Sequence, residues 1–227
     1  MEGTSSDNAA GGAGNAGVGF TDIHVRTPDD TILLCRKRSN ASGASRDTAV
    51  LVVPPLQATL AHGTYDRLCA VLPGTVYLLE LRGHGLSEGK WSLQEHEKDI
   101  EFLVGELRRH FSAVMLVSFG GSASILLDME NRQRLHADAM VLVTPDILPC
   151  PVRVQTPTTV FAPDAILHRI FGNVHLHHAP WAQKLLPVEQ ARQAQLIRDA
   201  LHELSGHERP IRFKGSTKHK LRVRTRA

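Results

Sequence analysis

Cysteine is scarce: Cys35, Cys69 and Cys150 are the only three in 227 residues. They stand far apart, without the paired spacing of a metal site. An odd, sparse set also argues against a disulfide scaffold and fits a reducing compartment. Long apolar runs are lacking as well, and none approaches the roughly 18 residues of a membrane-spanning helix. No Gly-x-Gly-x-x-Gly follows the first strand-like runs and no phosphate loop is present, which argues against the common nucleotide cradles. The N-terminal Met1–Gly19 is Gly-, Ala-, Ser- and Asn-rich and lacks the basic start and apolar stretch of a secretory signal. It reads as a disordered leader. Without a signal, Asn40-Ala41-Ser42 reads as a chance match to a glycosylation acceptor, and the expected setting is cytoplasmic.

What is present suits one domain with a sizeable core, with an apolar fraction of 42%. The domain is expected over residues 20–208, followed by a basic tail at 209–227. Ile211–Ala227 holds seven Lys/Arg and no acid, so the rest of the chain is net acidic despite an overall charge of +3. The tail, Lys214 to Arg226, is a candidate contact for nucleic acid or an anionic surface. It has no aromatic residue to stack on bases, and a solvated, disordered end is the simpler reading.

Strand-like and helix-like segments alternate. Phe20–Arg26 and Thr31–Arg38 form a β-rich pair around Thr27-Pro28-Asp29-Asp30. Thr48–Val53, Thr75–Leu81, Val114–Val117 and Ala139–Val143 are continuous apolar runs, the pattern of strands buried on both faces. Shorter strands are expected at Thr158–Phe161 and Val174–Leu176. Helices are expected at Tyr65–Leu72, Ser92–Phe111, Gly120–Asn131 and Pro187–Leu204. Ser92 and Glu95 form a capping pair, and Ile100, Leu103, Val104 and Leu107 form an apolar stripe. The implied fold class is α/β, a mostly parallel sheet covered on both faces.

In such sheets reactive groups gather at the carboxyl ends of the strands. Pro54-Pro55-Leu56, Glu80, Ser118, Pro145-Asp146 and Asp164 all fall there. Leu116-Val117-Ser118-Phe119-Gly120-Gly121 puts a serine between an apolar strand and two glycines, where a sharp strand-to-helix turn can expose a hydroxyl. Ser118 is the first candidate nucleophile and Ser122 the second. His175-Leu176-His177-His178 offers a base. It could alternatively be a metal tract, but it has no nearby cysteine or acid, so neither metal nor cofactor is expected.

Glu80-Leu81-Arg82-Gly83-His84-Gly85-Leu86-Ser87 resembles the Asp-x-Arg-Gly-His-Gly-x-Ser segment of the α/β-hydrolase family, in its monoglyceride-lipase and serine-aminopeptidase branch. The resemblance extends over roughly Phe20–Leu204 and implies no cap domain, given the short stretch from Pro145 to Pro157. It implies a serine ester or amide hydrolase acting through an acyl-enzyme on a small acyl substrate. Ser118 would attack and His178 would serve as base, with His177 its rival. Asp164, in a segment like the family's Pro-Thr-strand-Gly-x-x-Asp, would orient the base, with Asp146 second. Backbone N–H groups of Leu56 and Phe119 would hold the oxyanion.

Three departures favour a second expectation, a non-catalytic binding or scaffolding protein of this fold. Leu116 stands where the family has glycine, and Pro54-Pro55 replaces His-Gly. Only 14 residue steps separate Asp164 from His178.

Overall fold

A computed structural model describes residues 19–39, 47–56, 58, 60, 65–145, 151–162, 167, 169–179 and 190–205. The strands are β1 (Phe20–Arg26), β2 (Ile32–Arg38), β3 (Thr48–Val53), β4 (Thr75–Leu79), β5 (Ala113–Phe119), β6 (Ala139–Val143), β7 (Val152–Ala162) and β8 (Ile170–His178). They form one sheet in the order β1-β2-β4-β3-β5-β6-β7-β8. β1 pairs antiparallel with β2, and β2 antiparallel with β4. From β4 to β8 every pairing is parallel.

The helices are α1 (Asp66–Val71), α2 (Leu93–Arg108), α3 (Gly120–Asn131) and α4 (Gln190–Leu204). Ile100 and Leu103 of α2, with Leu126 and Met129 of α3, build the core on one face of the sheet. Leu68 and Cys69 of α1, with Ile197 and Leu201 of α4, build the core on the other. This double cover explains why β6, and β3 after Thr48, are apolar throughout: both faces of each strand meet a helix layer. β1 lies at a sheet edge and alternates exposed polar with half-buried apolar residues.

Each expected strand and helix has a counterpart; Phe20–Arg26, Thr48–Val53, Ala139–Val143 and Gly120–Asn131 match at both ends, and residues 187–189, the expected start of the last helix, lie outside the described residues. Ser92 caps α2 as expected, its Oγ accepting from the Glu95 N–H at 3.2 Å. β5 runs on through Ser118 to Phe119. β7 and β8 are far longer than expected because they pair with each other, Val152↔Ile170 at one end and Ala162↔His178 at the other. The ladder is broken between Val154 and Thr158, where Pro157 has no N–H to offer. Buried Glu130 of α3 serves this bulge: its Oε1 accepts from the N–H groups of Gln155 (3.0 Å) and Thr156 (2.8 Å). Opposite the bulge Gly172 adopts φ +109°, and a Cβ there would meet the Val154 carbonyl oxygen at 2.1 Å. Gly172→Ala is therefore expected to cost more than about 2 kcal/mol, through left-handed strain and backbone collision. Urea unfolding followed by circular dichroism measures it.

The segment resembling the hydrolase motif is a set of internal ties. Glu80, almost fully buried, accepts from the Leu60 N–H at 2.9 Å and the Leu86 N–H at 2.7 Å. Ser87 donates to the Glu80 carbonyl at 2.7 Å and accepts from the Leu34 N–H at 2.8 Å. Arg82 holds two carboxylates: Asp99 of α2 through Nε (2.9 Å) and Nη2 (2.6 Å), and Asp29 of the β1–β2 turn through Nη1 (2.5 Å) and Nη2 (3.0 Å). The expected roles of Asn40, Asp146, Asp164 and the tail Lys214–Arg226 fall outside the described residues.

Candidate functional site

The carboxyl ends of β3, β5, β6, β7 and β8 lie side by side in a fixed register. Val53 pairs with Ser118, Phe119 with Val143, Val143 with Phe161, and Phe161 with His177. The candidate serines must be judged against this register.

Ser118 was expected on the strand-to-helix turn. It lies instead within β5 and is wholly buried, its Oγ donating to the Val53 carbonyl at 3.2 Å. Phe119 follows in extended conformation, φ −135° and ψ 145°, with its ring tilted against Tyr65 at 5.6 Å. The turn proper falls on Gly120, at φ +54°. Ser122 sits in the first turn of α3, wholly buried, and its Oγ has no hydrogen-bond partner. In the segment Ser118-Phe119-Gly120-Gly121-Ser122, glycine thus takes the left-handed corner and small serines flank it by two residues on each side.

This arrangement has a signal in the sequence. A strand-to-helix nucleophile turn reads Gly-x-Ser-x-Gly, with the reactive residue at the strained centre and small residues two positions away. Reading the segment with Gly120 at the centre satisfies both small positions. It also removes the difficulty of Leu116, which becomes an ordinary buried strand residue.

The other expected members spread along the sheet edge. Leu56 is half-buried beyond β3. His177 stacks on Phe161, ring centres 5.1 Å apart, and His178 is exposed at the last position of β8. By register, His177 is level with Phe119 but three strands away. Three interstrand steps make about 14 Å, beyond hydrogen-bond reach of Ser118. The sequence expectation ended the last strand at Leu176, two residues before His178. The pairing Ala162↔His178 keeps it in the ladder.

Thr144 went unnoticed in the sequence. It follows Val143, the β6 partner of Phe119, just past the end of the ladder. It adopts φ +48°, uncommon for a β-branched residue, and its Oγ1 is buried without a hydrogen-bond partner. Its N–H donates to the Phe161 carbonyl at 2.7 Å. A Cβ added at Gly120 would come within 3.4 Å of the Pro55 Cβ.

Thiol chemistry is disfavoured at Cys35 and Cys69, because burial pushes both thiols up to about 12. Among the described residues no group of His, Cys, Asp and Glu is placed to hold a metal ion. No described helix is long and apolar enough to cross a membrane.

An open sheet in this strand order, helices on both faces and a left-handed corner after the central strand β5 define the α/β-hydrolase fold. Solved structures of that fold agree. An esterase of Pyrococcus furiosus is similar with a TM-score of 0.62 at 12% identity, covering 83% of this chain and 92% of its own. An alpha-beta serine hydrolase homologue of Coxiella burnetii gives 0.59 at 15% identity, covering 80% and 97%. A serine hydrolase of Xanthomonas campestris, described as without lid, gives 0.60 at 14% identity, covering 81% and 94%. Identities this low establish the fold alone. No protein-family model and no curated protein matches the sequence.

Proposed function

We propose that this chain uses the α/β-hydrolase scaffold to bind a small molecule without covalent catalysis. One observation carries the reading: the residue at the left-handed corner after β5 is Gly120, which has no side chain to act as nucleophile. The serines on either side have their hydroxyls buried. The position of His177 three strands away supports the same reading, since a serine needs a base within about 3 Å to attack a carbonyl. The likeness to the monoglyceride-lipase and serine-aminopeptidase branch, carried by Glu80–Ser87, then reflects shared architecture. In this chain those residues tie β4, α2 and the β1–β2 turn together. Fold alone does not specify chemistry.

The test is fluorophosphonate labelling read by intact mass, on the purified chain beside Ser118→Ala. No adduct on either folded protein is the expected result. One adduct on the parent that vanishes in Ser118→Ala would overturn the proposal and reinstate an acyl-enzyme hydrolase with Ser118 as nucleophile. An adduct on both would move the nucleophile to another residue, Ser122 first, and would overturn it equally.

A further inference from the structure

We infer that the segment Gly83 to Leu93, which joins β4 to the start of α2, docks this protein on an anionic lipid surface. The contact does not depend on the non-covalent reading above.

Of the five large apolar side chains that stand exposed among the described residues, three fall on this one segment: Leu86 (72% exposed), Trp91 (44%) and Leu93 (51%). A single exposed leucine is ordinary, whereas a local concentration marks a contact surface. The backbone holds these residues out. The Leu86 N–H donates to Glu80 Oε2 at 2.7 Å. The Gly83 N–H donates to the Glu88 carbonyl and the Ser87 N–H to the His84 carbonyl, both at 2.9 Å. The Glu80 carboxylate packs against the turn so closely that a Cβ at Gly85 would collide with it. Leu86, in the middle of these ties, is held in solvent. A Cβ at Gly83 would lie 2.9 Å from the Trp91 backbone N, so the segment folds back and brings Trp91 beside its own start.

Charge selects the partner. The acids of this region are engaged within the protein: Glu88 accepts from the Ile32 N–H at 3.1 Å, and Glu95 pairs with Lys98 at 2.8 Å. Lys90, exposed next to Trp91, forms no ion pair among the described residues. A cation beside Trp and Leu suits the boundary of an anionic bilayer, where an indole sits at headgroup level and leucines reach the acyl chains. One small apolar anchor binds a membrane weakly, and stable peripheral contact commonly adds a polybasic segment. This chain has one: Ile211–Ala227 holds seven Lys/Arg and no acid. Cations near an anionic leaflet add attraction that salt screens. Nucleic acid would use the basic segment but not the three apolar side chains. A protein groove would use the apolar side chains but not the basic segment. An anionic lipid surface uses both.

The experiment is co-sedimentation of the full chain with vesicles of equal parts phosphatidylserine and phosphatidylcholine, and with vesicles of phosphatidylcholine alone. Saturable binding to the mixed vesicles is expected, about tenfold or more stronger than to phosphatidylcholine and weakening as salt rises. Tryptophan emission should shift to the blue on binding in the parent and not in Trp91→Phe. Leu86→Ser combined with Leu93→Ser should weaken binding about tenfold. Lys218→Gln, Lys220→Gln, Arg222→Gln and Arg224→Gln made together should do the same. Circular dichroism checks that each variant keeps the parent's fold. Failure of the parent to bind the mixed vesicles would overturn the inference, and binding to single-stranded RNA instead would reassign the basic segment to nucleic acid. Equal binding to phosphatidylcholine alone would overturn the choice of an anionic surface. Full-strength binding by the Leu86→Ser, Leu93→Ser protein would overturn the role of the apolar segment. A lipid-free dimer that dissociates in that same variant would overturn the lipid assignment in favour of a second copy of this chain.

Discussion

Arg82→Ala is expected to destabilise the protein by roughly 3–5 kcal/mol at neutral pH, the range for breaking a buried ion pair from one side. Arg82 is 5% exposed and the Asp99 side chain 3%. Their contact is bidentate, and the same guanidinium holds Asp29 with a second pair of bonds. The hydrogen bonds to Asp99, then those to Asp29, hold the guanidinium above its ordinary pKa. Burial already pushes Asp99 upward against the pull of Arg82, so losing the cation leaves an uncompensated carboxylate inside the protein. Three consequences can be measured by urea unfolding. Arg82→Lys should also be destabilised, because a point charge cannot satisfy two forks. The deficit of Arg82→Ala should shrink as acid protonates Asp99. Arg82→Met combined with Asp99→Leu should recover part of the loss. Equal stability of parent and Arg82→Ala would mean that these ties to α2 and the β1–β2 turn contribute nothing to the fold.

Stability should also fall by roughly 3 kcal/mol as pH drops from about 6.5 to about 4, through His96 alone. This histidine is 1% exposed on α2, and its Nε2 has no hydrogen-bond partner. Burial first, and then the neighbouring His84, hold its pKa down at about 4, against a weaker opposite pull from Glu97. In the window between the folded and unfolded values the unfolded chain binds a proton that the folded chain refuses. Unfolding is then favoured as pH falls, and the neutral ring contributes fully above about 6.5. Chemical denaturation at a series of pH values gives the slope. His96→Leu should flatten it in this window while leaving slopes at lower pH, which belong to carboxylates. An unchanged slope in His96→Leu would remove His96 as the cause.

The architecture was legible in the sequence because its signals are local. Thr48–Val53 and Ala139–Val143 are apolar at every step but the first of β3, a pattern that suits only a strand covered on both faces. Ser92 and Glu95 announce the start of α2 through a cap that depends on four adjacent residues. Glu80–Ser87 carried the likeness to α/β-hydrolases, and its side chains do organise this corner of the fold.

The candidate site was legible only to within two residues. Ser118-Phe119-Gly120-Gly121-Ser122 has two serines and two glycines, and each serine is a plausible nucleophile when the string is read alone. Which residue takes the left-handed corner depends on where β5 stops pairing with β6, at Phe119↔Val143. That limit is set by strands distant in sequence. The same holds for the histidines: Val174–Leu176 reads as a short strand, and its extension to His178 comes from pairing with the equally extended β7. Thr144 gave no sign, since an unpartnered hydroxyl and a positive φ are properties of an environment rather than of a residue type.

The sequence by itself therefore determined the alternation of strands and helices and the doubly covered sheet, because apolar periodicity and capping act over a few residues. Tertiary structure alone decided that glycine occupies the corner after β5, that both serine hydroxyls are buried, and that Thr144 takes a positive φ with its hydroxyl unpartnered. Those outcomes follow from the register of β5 between β3 and β6, and register is a sum of contacts between segments far apart along the chain.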